Sequence, residues 1–428
     1  MAKPKLCLIP AAQGSKLYSV LPSSGVGDFQ FNRSGSATRI NSQGLIETVA
    51  SGVSRLNYPM IDGVVKGCPH HILEPQRTQL VQYSEDFSNA YWGKSNITVT
   101  TNQTISPDGS QNADKFLENT STASHLISKS GISITSGVSH TLSVFVKANG
   151  RNTFRLFTDT GGNSFFAYFN LETKSIGSKQ GLTASKIEEY PNDWYRCSIS
   201  FTPTTTSIYV QFLLTLDNET TSYTGDGSSG MYLWGAQIEQ GSYPTSYIPN
   251  YGTSGGVTRS VETANGSGSA ATFNSEQGVL MFEGSALDES DTNYRALSLS
   301  DGTSSNRVQI WLWNDGTIFT YIVAQGSTSY TRFDNVNSSN INKILISYKQ
   351  NKFSTFINGI KTFSDVIGNT PTGLNNIRFS DTNSSADFYG NIKQLQYFDT
   401  ALTDTDLEKL TSWVSFQEMA ESQLYSIE

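Results

Sequence analysis

The sequence predicts a mostly β protein built from two β-sandwiches, the first a jelly roll, with a turn-rich N-terminal arm and a C-terminal helix. Three observations predict it. Ser, Thr, Asn and Gly are abundant and aromatics make up 11% of the residues, with 20 Tyr and 23 Phe, a composition that favours pleated strands and turns over helical bundles. Short stretches of period-two alternation recur along the chain, separated by Gly-, Pro- and Asn-bearing turns. At 428 residues the chain is too long for one ordinary core, and the stretches divide into two sets.

Residues 1–85 are dense in turn signals (PSSGVG, NRSGS, NSQG, IDG, KGCP), and no apolar piece is long enough for a core of its own. The expectation is an attachment arm ordered by packing on the next module or on another chain; a hairpin extension of the jelly roll is the alternative. From 86 to 250 the strands come at regular intervals, for example His140 to Ala148 with Leu142, Val144 and Val146 on one face, which predicts the jelly roll. Its closing strand alternates Met231, Leu233, Gly235 and Gln237 with Tyr232, Trp234, Ala236 and Ile238. Residues 251–270, rich in Gly, Ser, Thr and Asn without apolar periodicity, read as a surface linker. A second set of strands over 271–402 predicts the second sandwich, with tight hairpin turns at Gln350-Asn351 and Asn358-Gly359. In 403–428, Thr405 to Glu408 form a capping box that opens a helix with Leu407, Leu410, Val414 and Met419 as its apolar stripe, and packing on its own domain is favoured over pairing between copies.

Formal net charge is -8 without any Lys/Arg-dense run, so nucleic acid and anionic membrane are excluded as main partners. Nowhere do 18 apolar residues follow one another, which argues against membrane insertion, and the apolar piece near the N-terminus is too short for a signal peptide. Charged residues are only 15%, while neutral hydrogen-bonding side chains abound, a surface suited to sugars. The three cysteines make no full disulfide framework and lie at no zinc-ligand spacing; Cys197 reads as a small core residue.

No nucleophile elbow, phosphate loop or dinucleotide fingerprint is present. A glycosidase needs two carboxylates held apart across the bond it cuts. The second sandwich offers Glu283 on a strand and the cluster Asp288, Glu289, Asp291 in a loop, so no catalytic residue is assigned and an enzyme is not expected. None of the four histidines has metal-site spacing; His70 and His71 point to opposite sides of an extended chain, which predicts that at most one is buried. No metal ligand or cofactor is assigned either. Ser106 to Asp114 could contribute oxygens to a structural calcium through Asp108, but an Asp-Gly pair is first of all a turn.

A binding face is the better candidate. If Val308, Ile310 and Leu312 point inward, then Arg307, Gln309, Trp311 and Trp313 share the opposite face, with Phe319 and Tyr321 of the next strand extending it. Sugar rings present flat C–H surfaces that stack on aromatics while their hydroxyls pair with amides and guanidinium groups. In the first sandwich, Tyr209 and Gln211 face outward by the same alternation, opposite Val210, Phe212, Leu214 and Leu216, and form a second candidate face.

Several of these stretches also carry a resemblance. WGAQIEQGSYPTSYIP followed by VTRS resembles a signature of tailed-bacteriophage virion proteins, where it ends a carbohydrate-binding-like jelly roll; FNRSGSATRINSQGLIETV, SRLNYP and ILEPQRTQLVQYSEDFSNAYW resemble the run that precedes it. KILISYKQNKFSTFINGIKTF and GNIKQLQYFDTALTDTDLEKL resemble back-sheet strands of concanavalin A-like and laminin-G-like sandwiches. The resemblance implies a virion protein in a tail fibre, head fibre or capsid-decorating position, made in the host cytoplasm, that binds host-surface or environmental glycans. It also implies contacts to other virion proteins through the N-terminal arm, and a homo-oligomer, a trimer in a fibre. A purely structural decoration protein and a polysaccharide depolymerase are the alternatives, although the E-x-D-x-E pattern of concanavalin A-like glucanases is absent. Jelly rolls of this kind often hold a calcium through an acid on the closing strand, and here LWGAQIE has no Asp at its centre.

Overall fold

The computed structural model describes residues 2–217, 219–287, 294–313, 315–365, 367–383 and 385–422. The protein is nearly all β, and the two expected sandwiches are present. The first packs two six-stranded antiparallel sheets face to face. One orders Gly93–Ser95, His125–Ser133, Ser207–Thr215, Thr153–Asp159, Ser164–Asn170 and Ser175–Gln180; the other orders Ile97–Thr104, Ala113–Glu118, Gly230–Gln240, His140–Asn149, Trp194–Phe201 and Ala184–Tyr190. Their alternating residues, among them Leu142, Val144, Cys197, Ile199, Val210 and Phe212, meet in one dry core. Leu213 is buried as well, and Leu216, expected inside, is 49% exposed because the strand ends at Thr215.

The closing strand does not keep the alternation read from the sequence. Ser143 pairs with Gln237 but Phe145 pairs with Trp234, so a bulge at Gly235 (φ 62°) shifts the parity by one residue. Met231, Leu233, Ala236 and Ile238 therefore face the main core, while Trp234 packs on Phe145 and Tyr247 behind the sheet.

The second sandwich is discontinuous in sequence. One layer runs Gly390–Phe398, Gln277–Ala286, Asn342–Lys349, Lys352–Ile357, Ile360–Asp365. The facing layer runs Ser327–Asn335, Thr317–Ala324, Arg307–Leu312, Arg295–Ser300, Asn376–Arg378, Thr263–Ser267, Phe29–Asn32, Lys16–Leu21. The bulged strand Leu6–Gln13 joins them, pairing with Gly390–Phe398 through Leu6 to Leu8 and with Lys16–Leu21 through much of its length. Leu6, Leu8, Leu17, Phe29, Phe31 and Ala264 are buried with Leu280, Phe282, Leu297 and Ile310 in one core.

Two expected boundaries are thereby corrected. The stretch 1–85, expected as an attachment arm packed on the next module or on another chain, instead belongs in part to the C-terminal sandwich, since its first 32 residues supply three of that sandwich's strands. Nor is 251–270 a surface linker: Val257–Arg259 pairs with Arg77–Gln79, and Thr263–Ser267 pairs with Phe29–Asn32. The jelly roll is an insertion into the other sandwich.

Where the chain crosses between the two units, five charged side chains are buried together. The Glu262 carboxylate accepts from Arg33 Nη1 at 2.7 Å, Arg55 Nε at 2.8 Å and the Glu74 backbone N–H at 2.9 Å; Glu74 in turn accepts from Arg55 at 2.8 Å and Arg259 at 2.7 Å. Burial alone would push Glu74 up, but Arg259 and Arg55 outweigh it and hold the carboxyl at about 2. His70 and His71 are both buried, contrary to expectation, because Leu56–Asn57 and Gly390–Phe398 flank their strand and neighbouring segments cover both its sides; burial pushes them to about 3 and about 4.

Helix Asp404–Thr411 starts two residues earlier than expected, with Thr403 as N-cap accepting from the Asp406 N–H. As expected it packs on its own sandwich, where Leu407 joins Val279, Met281, Leu345, Phe356 and Phe398 on the outer side of the back layer. Val414 lies beyond the helix end and is 89% exposed.

Candidate functional site

The outer surface of the front layer carries the candidate site. Strand pairing brings residues that are distant in sequence into straight rows, because directly opposed residues share a face. One row crosses eight strands: Thr331, Tyr321, Gln309, Ser298, Arg378, Asn265, Gln30 and Lys16. Beside it runs an aromatic row of Phe333, Phe319 and Trp311 ending at Ala296. On the other side lie Arg307, Ser300 and Asn376.

The aromatic row is a platform of touching rings. Phe319 stacks on Phe333 with centroids 4.3 Å apart, and Trp313 lies 5.6 Å from Phe319, 5.2 Å from Phe333 and 4.8 Å from Tyr294. Tyr321 stacks on Phe319 at 5.3 Å and carries the Arg307 guanidinium 5.4 Å above its ring. Phe333 is 50% and Tyr294 42% exposed, while Trp311, Trp313, Phe319 and Tyr321 are half-buried.

Of the residues expected at this face, Arg307, Trp311, Trp313 and Tyr321 are brought together on it. Gln309 shares the face but is fully buried: its Nε2 donates to Ser298 Oγ at 2.7 Å, and its Oε1 accepts from Trp311 Nε1 at 3.2 Å. It braces the Trp311 ring and offers nothing to a ligand. Tyr209 and Gln211 sit on the other sandwich. There Gln211 Nε2 donates to Tyr209 Oη at 2.8 Å, beside Phe157 and the Arg155 guanidinium, which lies over Phe157, Phe166 and Tyr168.

Sequence reasoning missed Phe333, Tyr294, Arg378, Asn265 and Asn376. No apolar-polar contrast marks the strand of the first, where Thr331 and Phe333 alternate with Tyr330, Arg332 and Asp334; the asparagines and Arg378 join only through long-range pairing. Several polar atoms of this surface are buried without a hydrogen-bond partner among the described residues: Asn265 Oδ1, Asn376 Oδ1, Arg307 Nε, Arg378 Nε and Trp313 Nε1.

The eight front-layer strands from Ser327–Asn335 to Lys16–Leu21 contain one acid, Asp334, which Arg332 holds at 2.6 Å. Glu283 lies in the back layer, buried, bonded to Gln394 and 3.5 Å from Lys393. Asp288, Glu289 and Asp291 lie outside the described residues. Asp108 accepts from Ser106 Oγ and the Ser110 N–H, which makes it a turn residue; its second oxygen shares Asn112 Nδ2 with Glu85. Burial lifts Glu85 to about 7 and Asp114 to about 6. Among the described residues no group of three or more His, Cys, Asp or Glu is placed to hold a metal ion.

The signature residues that end the jelly roll have structural partners. Gln237 and Glu239 fasten the segment after the strand through the Ile248 N–H, the Thr245 N–H and Thr245 Oγ1, and Tyr247 Oη bonds Ser84 at 2.7 Å.

No family model and no curated protein matches the chain. Among solved structures, the CBM40 module of Ruminococcus gnavus IT-sialidase aligns at TM-score 0.29 and 19% identity, covering 35% of this chain and 94% of that one. A mutant NanB sialidase from Streptococcus pneumoniae aligns at 0.28 and 16%, over 32% of this chain and 24% of that one. A heptameric SAP-like pentraxin from Limulus polyphemus aligns at 0.27 and 12%, over 33% and 72%.

Proposed function

We propose that this chain is a bacteriophage virion protein, a tail fibre, head fibre or capsid decoration, that binds host-surface or environmental glycans through the front face of its C-terminal sandwich. The observation that carries the glycan reading is the platform of Trp311, Trp313, Phe319, Tyr321 and Phe333 beside a row of amide, hydroxyl and guanidinium groups. Flat rings take the C–H faces of a sugar, and the accessible members of the row, Thr331, Tyr321, Arg378 and Asn265, take its hydroxyls, while the fully buried Gln309 and Ser298 only brace the face. Among the described residues the front-layer strands carry a single carboxylate, already paired, and hydrolysis of a glycosidic bond needs two placed carboxylates, so we read this face as one that binds without bond cleavage. The virion assignment rests on the resemblance of the jelly-roll signatures, as do contacts to other virion proteins, synthesis in the host cytoplasm and a homo-oligomer, trimeric in a fibre. Copies on one particle would raise avidity over single-site affinity by about 10² to 10⁴.

Glycan-array and isothermal titration measurements on the full chain test the reading. Trp311→Ala, Trp313→Ala and Phe333→Ala each weaken binding by about fivefold or more if each ring stacks on a sugar, a contact worth on the order of 1 kcal/mol or more. No binding to any glycan by the folded wild-type chain would refute the glycan reading and favour a purely structural role. Peptides of this chain absent from purified phage particles would refute the virion assignment separately.

A further inference from the structure

Charge is distributed unevenly over this protein. The chain carries a net charge of -8, yet the eight front-layer strands hold five cations, Lys16, Arg295, Arg307, Arg332 and Arg378, against Asp334 alone. Arg332 is taken up by Asp334, Lys16 lies 3.8 Å from the Asp28 carboxylate, and Arg295 lies over Tyr389 on the other parity of its strand. Arg307 and Arg378 remain. Both stand on the outer face, flanking Arg295–Ser300 from either side: Ser300 pairs with Arg307, and Ser298 pairs with Arg378.

Strand spacing puts their Cα atoms roughly 12 Å apart, two strands across and two residues along, within the joint reach of two arginine side chains to one central point. Neither has an ion pair among the described residues. The Nη1 of Arg307 has only a 3.5 Å contact with Thr382 Oγ1 and a ring beneath it, and the Nε of each lacks an acceptor. Half-buried guanidinium groups left without an anion beside an aromatic platform are an unusual expense in a chain so rich in carboxylates, since an arginine fork matches a carboxylate bidentately.

We infer that the glycan received by this face is acidic, with a sugar carboxylate held between Arg307 and Arg378 while the neighbouring rings stack on Trp311 and Phe319. This rests on the glycan-binding reading above and narrows it from sugars in general to uronic acids and other carboxylate-bearing units. The clustered positive potential would also speed the encounter with an anionic polysaccharide, and salt would weaken it.

The test uses the full chain and matched polysaccharides: polygalacturonate, alginate and hyaluronate, each beside its carboxyl-reduced form, with neutral glycans as a separate arm. Expected is binding to at least one acidic polymer, at least about tenfold weaker to its carboxyl-reduced form, as loss of charge-assisted hydrogen bonds requires. Arg307→Gln and Arg378→Gln each reduce acidic binding by about as much, Arg307→Lys recovers part of it, and all three melt with the wild type. Equal affinity for acidic and reduced forms, binding confined to neutral glycans, or full acidic binding by the folded double variant would each overturn the inference and leave the glycan reading standing. Absence of binding in every arm would overturn both.

Discussion

Replacing Glu262 by Gln tests what holds the two sandwiches to their shared frame. Each carboxylate oxygen faces two donors: Oε1 meets Arg33 Nη1 and Arg55 Nε, and Oε2 meets Arg55 Nη2 and the Glu74 N–H. An amide turns one oxygen into an NH₂ group aimed at donors and leaves three buried guanidinium groups with Glu74 as their one remaining carboxylate in the cluster. Arg33, Arg55, Arg259 and Glu262 are at most 2% exposed, so water cannot compensate. Breaking a buried pair costs about 3–5 kcal/mol, a large part of the roughly 5–15 kcal/mol that keeps a domain folded. Urea unfolding followed by circular dichroism should show the midpoint fall accordingly. Glu47→Gln, which removes the partially exposed pair with Arg39, serves as control and should cost below about 1 kcal/mol. A Glu262→Gln loss no larger than that of the control would refute the assignment of the cluster as the frame's lock.

Two further outcomes follow from the jelly roll. Gly235 holds φ at 62°, and an added Cβ would lie 3.0 Å from the Phe145 ring and 3.3 Å from Tyr247, so Gly235→Ala should cost about 1–3 kcal/mol in the same urea assay; an unchanged midpoint would count against the bulge. Glu85 and Asp114 have folded pKa values of about 7 and about 6, raised by burial above those of free carboxyls. The folded state therefore keeps protons that the unfolded chain has shed, and this contribution is complete below about pH 4 and lost as pH rises to about 7. The share of stability owed to Glu85 should fall across that window, opposed by buried His70 and His71, whose depressed values of about 3 and about 4 add stability as pH rises. Glu85→Gln should therefore make the melting temperature climb more steeply with pH than in the wild type, and a slope unaltered in the variant would contradict the placement of Glu85.

How far the sequence foretold the molecule depends on the range of the interaction. Period-two alternation located Arg307–Leu312 and its neighbours, and Asn358-Gly359 marked a tight turn that the positive φ of both residues bears out, because pleat and turn are local properties. Ser327–Asn335 escaped because its outward and inward residues are both largely polar. The pairing of Asn265 with Gln30 joins segments separated by the whole jelly roll, and nothing local in Thr263–Ser267 announces it. Burial depth was equally out of reach: Gln309 alternates correctly yet is fully buried, and a strand covered on both faces buries both His70 and His71. The signatures read as family marks turn out to share a physical task, since Arg33, Arg55, Glu74 and Arg259 come from four of them and meet with Glu262 in one cluster.

That convergence changes what the first residues are expected to do. An arm that merely tethers could be removed without harm to the folded units. Leu6, Leu8, Leu17, Phe29 and Phe31, however, are at most 1% exposed inside the C-terminal sandwich, and each full burial contributes about 1.5–3 kcal/mol. Deleting residues 1–32 therefore removes on the order of 10 kcal/mol, comparable with the net stability of a domain, and opens the edges of Gly390–Phe398 and Thr263–Ser267. The deletion should abolish the cooperative unfolding of the C-terminal sandwich and with it glycan binding at Trp311. The jelly roll, which keeps both of its sheets, should retain its own transition. A deletion variant that still binds and melts as the intact chain does would show those strands to be dispensable and restore the tether.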